Sequence, residues 1–470
     1  MADKIPVLKE RKNFVATRNA CKVCSPLGGS IAYKGIKGCV PVIHGGQGCA
    51  TYIRRYLISH YKEPVDIASS NFSEESTIFG GEANLSTAIQ NVIAQYKPEV
   101  VGVCTTCLSE TIGDDIGQAL KNYRAAHKNE PEVPEFVYSS TPSYQGSHMD
   151  GFHETVAAIT KTFASKVDKN NKVNIFPGFI STEDLRILKA ILEDFGIDYI
   201  MVPDYSETLD NPVWDTYHRI PDGGTPVMKL KKMGGAKASI EFGPILNKGN
   251  LVGRIKSKNM AYTGAEYLEK EFGVKKHTIN LPVGITQSDQ LFQILSDISQ
   301  QEVPTQYTME RGRLIDAYAD GHKYVFGKKA VVYGEEDLVI ALTGFLDEIG
   351  VEVILAASGG NSGALKEQIE ICAPTHGKTI RVMGDLDYEK INELCIDMKP
   401  DFLIGNSKGY YIARELKIPI IRVGFPIHDR MGGSRLKHVA YKGAQELFDK
   451  IGNAMMEYKQ ENSEVGYKYI

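Results

Sequence analysis

The distribution of cysteine most restricts what this chain can be, because six of its eight cysteines lie before residue 110. Cys24 is followed by Ser-Pro-Leu-Gly-Gly, Cys49 ends the run His-Gly-Gly-Gln-Gly-Cys, and Cys107 follows two threonines. A similar stretch, Thr-Pro-Ser-Tyr, places a hydroxyl at Ser143. Small residues let the backbone approach a bulky inorganic group, and thiolates hold iron–sulfur clusters. We therefore interpret Cys24, Cys49 and Cys107 as ligands of an iron–sulfur cluster.

We make a more specific prediction for the glycines beside these cysteines. Five of them are predicted to remove side chains that would collide with a multi-iron cluster: Gly28, Gly29, Gly45, Gly46 and Gly48. The three cysteines are spread far more widely than the roughly dozen residues over which a ferredoxin motif gathers its ligands. Three ligands are too few for a large cluster, so the sequence predicts a site that a partner chain completes.

Cys21 and Cys24 form a Cys-x-x-Cys pair, which could instead bind zinc or act as a redox pair. A zinc site needs a second pair at matched spacing, and none follows. A redox pair of the thioredoxin type would lie after a strand and at the start of a helix, which Ser25–Gly28 does not clearly provide. Burial as small core residues is predicted for five cysteines: Cys21, Cys39, Cys104, Cys372 and Cys395.

Length and charge narrow the class of protein. A chain of 470 residues exceeds one hydrophobic core, and roughly 100–200 residues per domain suggests about three domains. With 54 basic and 58 acidic side chains, the net charge of -4 favours neither nucleic acid nor an anionic membrane as a partner. The N-terminus lacks the layout of a secretory signal, and no stretch approaches the roughly 18 apolar residues of a membrane span. We expect a cytoplasmic protein with reduced cysteines.

Apolar runs of strand length alternate with helical patterns along the chain. Pro98–Cys104 is predicted to be a strand that leads into a loop at Cys107, where ligands bind in open parallel sheets. Helices are predicted from Thr51, over Glu82–Tyr96 and over Ser181–Phe195. Further strands are predicted at 173–176, 198–202, 236–242, 329–333, 351–356, 379–383, 401–404 and 418–423. This alternation predicts an α/β fold of three Rossmann-like domains with parallel sheets flanked by helices. The predicted limits are 1–168, 169–320 and 321–470.

Several shorter stretches receive local predictions. Residues 1–20 are charged and mixed, which suggests a docking arm or a mobile end. Ile31–Tyr33 and Val40–Ile43 are expected to be short segments joined by turns that feed a cluster loop. Gly359–Gly363 follows a predicted strand, but neither a dinucleotide fingerprint nor a P-loop lysine is present. A plain strand-to-helix turn is therefore predicted there.

Seven motifs follow one another along nearly the whole chain. They are Cys24-Ser-Pro-Leu-Gly-Gly29, His44-Gly-Gly-Gln-Gly-Cys49, Tyr61-Lys-Glu-Pro64, Phe79-Gly-Gly81, Thr105-Thr-Cys107-Leu-Ser-Glu-Thr-Ile-Gly-Asp-Asp115, Thr141-Pro-Ser143-Tyr-Gln-Gly-Ser-His148, and Gly424-Phe-Pro-Ile427 with Asp429-Arg430. In this order they resemble the β-type subunits of the nitrogenase component 1 family. The combination is specific, although no single motif is.

The resemblance implies a heterotetramer of two α-type and two β-type subunits. Each αβ pair of the family holds a P-cluster (8Fe–7S) or a simpler 4Fe–4S cluster at its interface, reduced by an ATP-dependent iron protein. By this resemblance Cys24, Cys49 and Cys107 match the β-side cluster cysteines, and Ser143 matches a serine that can ligate the oxidised P-cluster. Phe79 matches an aromatic residue near the docking surface for the iron protein, with an ordinary loop anchor as the alternative.

Within the family, the resemblance leaves two roles open. A catalytic (NifK-like) subunit relays electrons to an active-site cofactor on the α partner, whereas a scaffold (NifN-like) subunit supports assembly of the iron–molybdenum cofactor. The three cysteines with Ser143 and Phe79 favour the relay role. The short N-terminus and the segment Phe425–Arg435 favour the scaffold, which is the preferred expectation. A nitrogenase-like reductase with another small substrate is a further possibility, and a non-redox α/β binding protein is disfavoured by the loop setting of the cysteines.

Polar residues near the motifs are given ordinary roles. His44 is expected to pack its loop rather than to hydrogen-bond a sulfur atom. Arg54 and Arg55 are expected to be solvated charges on a helix rather than to face a partner or a cluster.

Overall fold

Three parallel β-sheets, each covered by helices, build the computed structural model, which describes residues 21–129, 133–243, 245 and 263–464. All pairings between the strands of this part of the chain are parallel. Parallel strands need crossover connections, and helices supply them here, so the predicted α/β class is confirmed. The expected docking arm, residues 1–20, lies outside the described residues.

The first sheet carries the loops with the candidate ligands. Its strands are β1 (Cys39–His44), β2 (Ala68–Ser69), β3 (Val100–Thr105) and β4 (Glu135–Ser139). Its helices are α1 (Ser25–Lys34), α2 (Gln47–Tyr61), α3 (Glu74–Phe79), α4 (Glu82–Tyr96), α5 (Cys107–Ile112), α6 (Ile116–Ala126) and α7 (His148–Phe163). The strand order is β2-β1-β3-β4. Strands β1 and β3 are buried along their whole length, as apolar strands covered on both faces should be.

The second sheet repeats the order of the first. Its strands are β5 (Val173–Phe176), β6 (Tyr199–Met201), β7 (Ala238–Phe242) and β8 (Lys275–Ile279), paired as β6-β5-β7-β8. Its helices are α8 (Thr182–Asp194), α9 (Val227–Leu230), α10 (Gly264–Phe272), α11 (Gly284–Ser299) and α12 (Thr305–Val325). The strands predicted near β5, β6 and β7 are confirmed. Strand β8 escapes the sequence analysis because its Lys-Lys-His-Thr sequence is polar and lies mostly at the surface.

The third sheet contains all five of the strands predicted for it. They are β9 (Lys329–Gly334), β10 (Glu352–Ser358), β11 (Arg381–Met383), β12 (Phe402–Gly405) and β13 (Ile420–Arg422), in the order β11-β10-β9-β12-β13. The helices of this region are α13 (Glu336–Glu348), α14 (Leu365–Cys372), α15 (Tyr388–Met398), α16 (Tyr410–Leu416) and α17 (Ala440–Asn462).

Two helices extend into stretches that the sequence assigns to turns or loops. Ile31–Tyr33 lies inside α1, whose first turn contains Pro26, a residue that favours helix starts. Helix α2 begins at Gln47 rather than Thr51, so Cys49 lies in its first turn. Candidate ligands therefore lie at helix starts, where the sequence suggests loops.

Helix α5 also includes a residue that the sequence assigns to a loop. It starts at Cys107, which the sequence places in a loop. The Thr106 hydroxyl caps this start by accepting a hydrogen bond from the Ser109 N–H. Cys107 is therefore the first residue of a capped helix.

The three units pack together around shared apolar surface. Leu27, Phe176 and Phe345 come from different units and belong to one cluster of buried side chains. The C-terminal helix α17 follows the third sheet in the chain but packs against α11 and α12 of the second unit. The predicted domain limits remain a prediction. None of the helices in the described ranges is both long and apolar enough to cross a membrane.

Candidate functional site

The carboxyl edge of the first sheet carries the candidate ligands. Strands β1 and β3 are neighbours, and the order of strands along the chain reverses between them. Open α/β sheets bind ligands at such a switch point. Cys49 lies in the first turn of α2, directly after β1, and Cys107 opens α5, directly after β3. Ser143 follows β4. The parallel sheet thus brings together residues that are far apart in the sequence.

Cys24 reaches the same region from the start of α1. It directly precedes this helix, which is pressed closely against α7. A Cβ atom at Gly28 would lie 1.7 Å from the carbonyl oxygen of His148. The His148 N–H donates to the carbonyl oxygen of Val23 at 3.0 Å. Helix packing and this hydrogen bond therefore fix the backbone on both sides of Cys24.

Ser143 contacts two of the candidate cysteines. Its backbone N–H donates to the Cys107 sulfur at 3.2 Å, and its hydroxyl oxygen accepts from the Ser25 N–H at 3.1 Å. Burial raises the pKa of the Cys24 thiol, whereas a hydrogen bond from the Ser143 side chain opposes this rise because it stabilises the thiolate. The structure therefore brings Ser143 together with both Cys24 and Cys107.

The three candidate thiols are close enough to influence one another. Burial raises the pKa of Cys49, and negative charge on Cys24 and Cys107 raises it further because like charges repel. Each of the three lies at a helix N-terminus, where free N–H groups favour a thiolate. Cys24 is partly buried, while Cys49 and Cys107 are exposed.

The remaining cysteines are buried, as predicted: Cys21, Cys39, Cys104, Cys372 and Cys395. Burial raises the pKa of the Cys21 and Cys104 thiols to about 12 and that of Cys372 to about 11. Such thiols are poor nucleophiles and poor metal ligands. Cys24 does lie at a helix start, contrary to expectation, but Cys21 is unsuited to form a redox pair with it.

Hydrogen bonds fix the positions of the segments that follow β3 and β4, which carry Cys107 and Ser143. The Thr141 N–H donates to the Thr105 hydroxyl at 2.8 Å, and the Thr141 hydroxyl donates to the Thr105 carbonyl at 2.7 Å. The Glu110 carboxylate accepts from the hydroxyls of Thr105 and Ser140, both at 2.6 Å. Because Thr105 ends β3 and Ser140 follows β4, these bonds fix the loop after β4 against the start of α5.

The glycines near the cysteines form two groups. A Cβ at three of them would come within 3.0 Å of packed protein atoms: Gly28, Gly29 and Gly45. The expectation that these three make room for a cluster is wrong, because they permit close packing within the chain. A Cβ at Gly46 or Gly48 would meet nothing within 4 Å. These two glycines border open space beside Cys49.

Two further residues at this edge have well-defined surroundings. His44 is fully buried at the end of β1, with its Nε2 atom 3.0 Å from Asp114 Oδ2, so it packs its loop as predicted. Asp114 also accepts from the Gly81 N–H at 3.1 Å, which ties the loop after α3 to β1. Phe79, at the end of α3, is 83% exposed. It therefore anchors no loop among the described residues.

Lys408 is a neighbour of the site that the sequence analysis misses. Its ammonium lies 5.3 Å from the centre of the Tyr56 ring on α2. Burial raises the pKa of Cys24, and the charge of Lys408 lowers it. Lys408 follows β12 in the third unit, so only the packing of that unit against the first brings it here. Arg54 and Arg55, close to the cysteines in sequence, are exposed on α2.

Comparison with known proteins identifies the family. The family model described as "Nitrogenase component 1 type Oxidoreductase" matches residues 24–456. The chain belongs to the nitrogenase component 1 family. Within this family, the "Nitrogenase molybdenum-iron protein beta chain" of Clostridium pasteurianum is 35% identical, over 93% of this chain and 93% of the relative. The "Nitrogenase iron-molybdenum cofactor biosynthesis protein NifN" of Bradyrhizobium diazoefficiens is 31% identical, over 94% and 90%.

A solved nitrogenase structure agrees with this family assignment. A chain of "Nitrogenase Cp1 at pH 6.5" superposes on this chain with a TM-score of 0.90 and 33% sequence identity. The match covers 99% of this chain and 98% of the other. The resemblance to β-type nitrogenase component 1 subunits is therefore confirmed, together with the fold that it implies.

Nitrogenase component 1 proteins imply a metal–sulfur cluster, and the edge of the first sheet suits such a group. Three thiols and a hydroxyl are the available donors, and thiolates are the usual ligands of iron–sulfur clusters. In the described ranges, no three His, Cys, Asp or Glu side chains are arranged to hold a single metal ion. The open space at Gly46 and Gly48 leaves room for such a group beside Cys49.

Proposed function

We propose that this chain is the β-type subunit of a nitrogenase-family complex and supplies Cys24, Cys49 and Cys107, with Ser143, as half of an interfacial cluster site. The observation that carries the proposal is the convergence of these three thiols at the open edge of the first sheet, while the other five cysteines are buried. An α-type partner subunit provides the remaining ligands, in a heterotetramer of two αβ pairs. The cluster is a P-cluster or a 4Fe–4S cluster.

When bound, the cluster accepts and releases electrons at a potential set by its ligands, hydrogen bonds and burial. The residues of this chain hold it and tune its surroundings. The three thiolates bind it, and N–H groups at three helix starts offset part of their negative charge. The Ser143 N–H donates to Cys107, and the Ser143 hydroxyl hydrogen-bonds Cys24. The close packing of α1 on α7 excludes water from the backbone behind Cys24.

We assign Phe79 to the docking surface for an ATP-dependent iron protein, which supplies the electrons. Phe79 is 83% exposed and its neighbour Ile78 is 74% exposed, and exposed aromatic side chains serve as anchors in protein interfaces. Asp114 accepts hydrogen bonds from Gly81, just beyond Phe79, and from His44 on β1. Two hydrogen bonds thus connect this docking surface to the strand that leads to Cys49.

Two uses of this electron relay are supported by different observations. We propose first a NifN-like scaffold on which the iron–molybdenum cofactor is completed, because the segment Phe425–Arg435 resembles scaffold sequences. The second candidate is the catalytic NifK-like subunit of nitrogenase, or of a nitrogenase-like reductase with another small substrate. It is favoured because the three cysteines, Ser143 and Phe79 are all present. Either complex would operate in the cytoplasm.

Metal analysis of the complex purified with its α-type partner tests the cluster site. We expect iron and acid-labile sulfide in the wild-type complex and loss of most of both in the Cys49→Ala and Cys107→Ala variants. Cys395→Ala is the matched control, because this thiol is buried in α15 of the third unit. A wild-type complex without iron and sulfide would identify a non-redox binding protein instead. Equal iron loss in the control would indicate general instability rather than lost ligands.

The α-type partner distinguishes the two uses. A partner that carries both a cofactor cysteine and a cofactor histidine indicates catalysis, and its complex should reduce a substrate when the iron protein and ATP are supplied. A partner that lacks them indicates a scaffold, and its complex should instead transfer a cofactor to a component 1 protein that has none.

A further inference from the structure

Lys408 of the third unit contacts α2 of the first unit, the helix that begins beside Cys49. It lies in the single 3₁₀ turn Ser407–Gly409, directly after β12. Its ammonium lies 5.3 Å from the centre of the Tyr56 ring and 6.0 Å from that of Tyr388, within range of cation–π attraction. Tyr56 lies two turns after Cys49 on α2. The two rings therefore hold this cation against the helix that carries a candidate ligand.

Lys408 forms no ion pair with a carboxylate of the described residues. Lys22, another lysine near this region, pairs with Asp385 at 3.7 Å. In the part of the chain that the structure describes, no carboxylate oxygen lies within 4.0 Å of the Lys408 ammonium. A partly buried cation without a counter-ion is costly, and nearby negative charge reduces that cost. Burial raises the pKa of the Cys24 and Cys21 thiols, and the charge of Lys408 lowers both. As a thiolate ligand of a cluster, Cys24 would supply such negative charge.

We propose that Lys408 tunes the charge of the cluster site, because its ammonium stabilises the reduced, more negative cluster and so raises the reduction potential. The inference rests on the proposed function, since it needs a cluster at the edge that carries Cys24, Cys49 and Cys107. Reduction adds one electron, delivered by the iron protein, and a nearby positive charge lowers the free energy of the more negative product. The two tyrosine rings fix the ammonium without neutralising it.

A redox titration of the cluster in the purified complex, followed by electron paramagnetic resonance, tests this role. Lys408→Met keeps most of the apolar stem and removes the charge, whereas Lys408→Arg keeps the charge and stacks on tyrosine rings. At one fixed potential, Lys408→Met should lower the ratio of reduced to oxidised cluster about three- to tenfold. This equals about 30–60 mV at 59 mV per tenfold for one electron. Lys408→Arg should stay within about twofold of the wild type.

Each other outcome overturns the inference or the proposal beneath it. A potential that is unchanged or higher in Lys408→Met overturns the inference. An equal shift in both variants does so as well, because packing rather than charge would then be responsible. Iron loss confined to Lys408→Met would make Lys408 a structural residue. A wild-type complex without iron would instead contradict the proposed cluster, so the two failures are distinguishable.

Discussion

The carboxyl edges of the first and third sheets are built alike and completed differently. Each contains a point where the strand order reverses, between β1 and β3 in the first sheet and between β9 and β12 in the third. In the third unit the chain covers part of this edge itself, although a Cβ atom at Gly334, the last residue of β9, would meet nothing within 4 Å. Glu336 accepts from the N–H and hydroxyl of Ser362, and the Tyr388 hydroxyl donates to the Asn406 side chain. In the first unit, two exposed thiols and two glycines border open space.

These two edges show that a reversal of strand order offers a place for a ligand but does not by itself make a binding site. The glycine-rich stretch Gly359–Gly363 is an example. It has the composition of a phosphate loop, yet a Cβ at Gly359 would lie 2.2 Å from the carbonyl oxygen of Cys21. The predicted strand-to-helix turn is confirmed, and the chain itself covers it. Among the described residues, nothing covers Gly46 and Gly48 at the first edge in this way, and we therefore assign the cluster and the partner to that edge.

The largest expected effect on the free chain comes from adding a methyl group at the third edge. Gly359→Ala should lower the free energy of unfolding by about 2–3 kcal/mol, because the methyl group collides with backbone atoms of Cys21. Gly48→Ala is the counterpart at the first edge, where the methyl group meets nothing within 4 Å. Since Gly48 lies in α2, alanine should leave stability unchanged or raise it by up to about 1 kcal/mol. Denaturant unfolding measures both variants, and equal losses would show that the two edges are equally filled.

Gly48→Ala should become harmful once the first edge is covered. In the complex with the α-type partner we expect this variant to retain less than about half of the wild-type iron, because its methyl group enters the space assigned to the cluster and partner. Gly312→Ala is the matched control, since Gly312 also lies on a helix with nothing within 4 Å. Wild-type iron content in Gly48→Ala would place the cluster away from this glycine.

A smaller effect should appear in the pH dependence of the third edge. Burial raises the pKa of Glu336 to about 7, although hydrogen bonds from Ser362 oppose the rise. The protonated form is thus favoured in the folded state, so its stabilising contribution is complete below about pH 4.5 and is lost as the pH rises through about 7. Glu336→Gln should be about 1–2 kcal/mol more stable than the wild type at pH 8 and equal to it at pH 4.5. Equal stabilities at pH 8 would contradict this role.

The fold could be predicted from the sequence wherever the signal was local. Strands β9, β10 and β12 are apolar runs because parallel strands are buried on both faces, and they lie where the sequence predicts them. Strand β8 is polar, so its pairing with β7 decides its structure. The starts of α1 and α5 were missed because their residues also suit loops.

The candidate site shows the same division between local and distant signals. Cys24, Cys49 and Cys107 could be selected because their neighbours in the sequence are unusual. The role of Gly28 could not be predicted, because it depends on contact with His148. In the sequence, a glycine that lets two helices pack closely looks the same as one that makes room for a cluster. Lys408 could not be predicted either, since the packing of the third unit alone brings it to Tyr56.

The smallest predicted effect concerns Ser143, where the sign carries the information. As a side-chain hydrogen-bond donor to Cys24, Ser143 would stabilise the more negative, reduced cluster. Ser143→Ala removes this bond but keeps the backbone N–H bond to Cys107, so the variant would lower the midpoint potential. As a ligand of the oxidised cluster, its alkoxide would add negative charge and stabilise the oxidised state, so the variant would raise the potential.

We expect a rise in the midpoint potential, measured by redox titration of the complex, with Tyr144→Phe in the same loop as the control. Ser143→Ala should lower the free energy of unfolding by only about 1 kcal/mol, because it removes one acceptor for the Ser25 N–H. A fall would keep Ser143 as a donor but exclude it as a ligand. An unchanged potential would make Ser143 a residue that only holds its loop, as Asn406 does in the third unit.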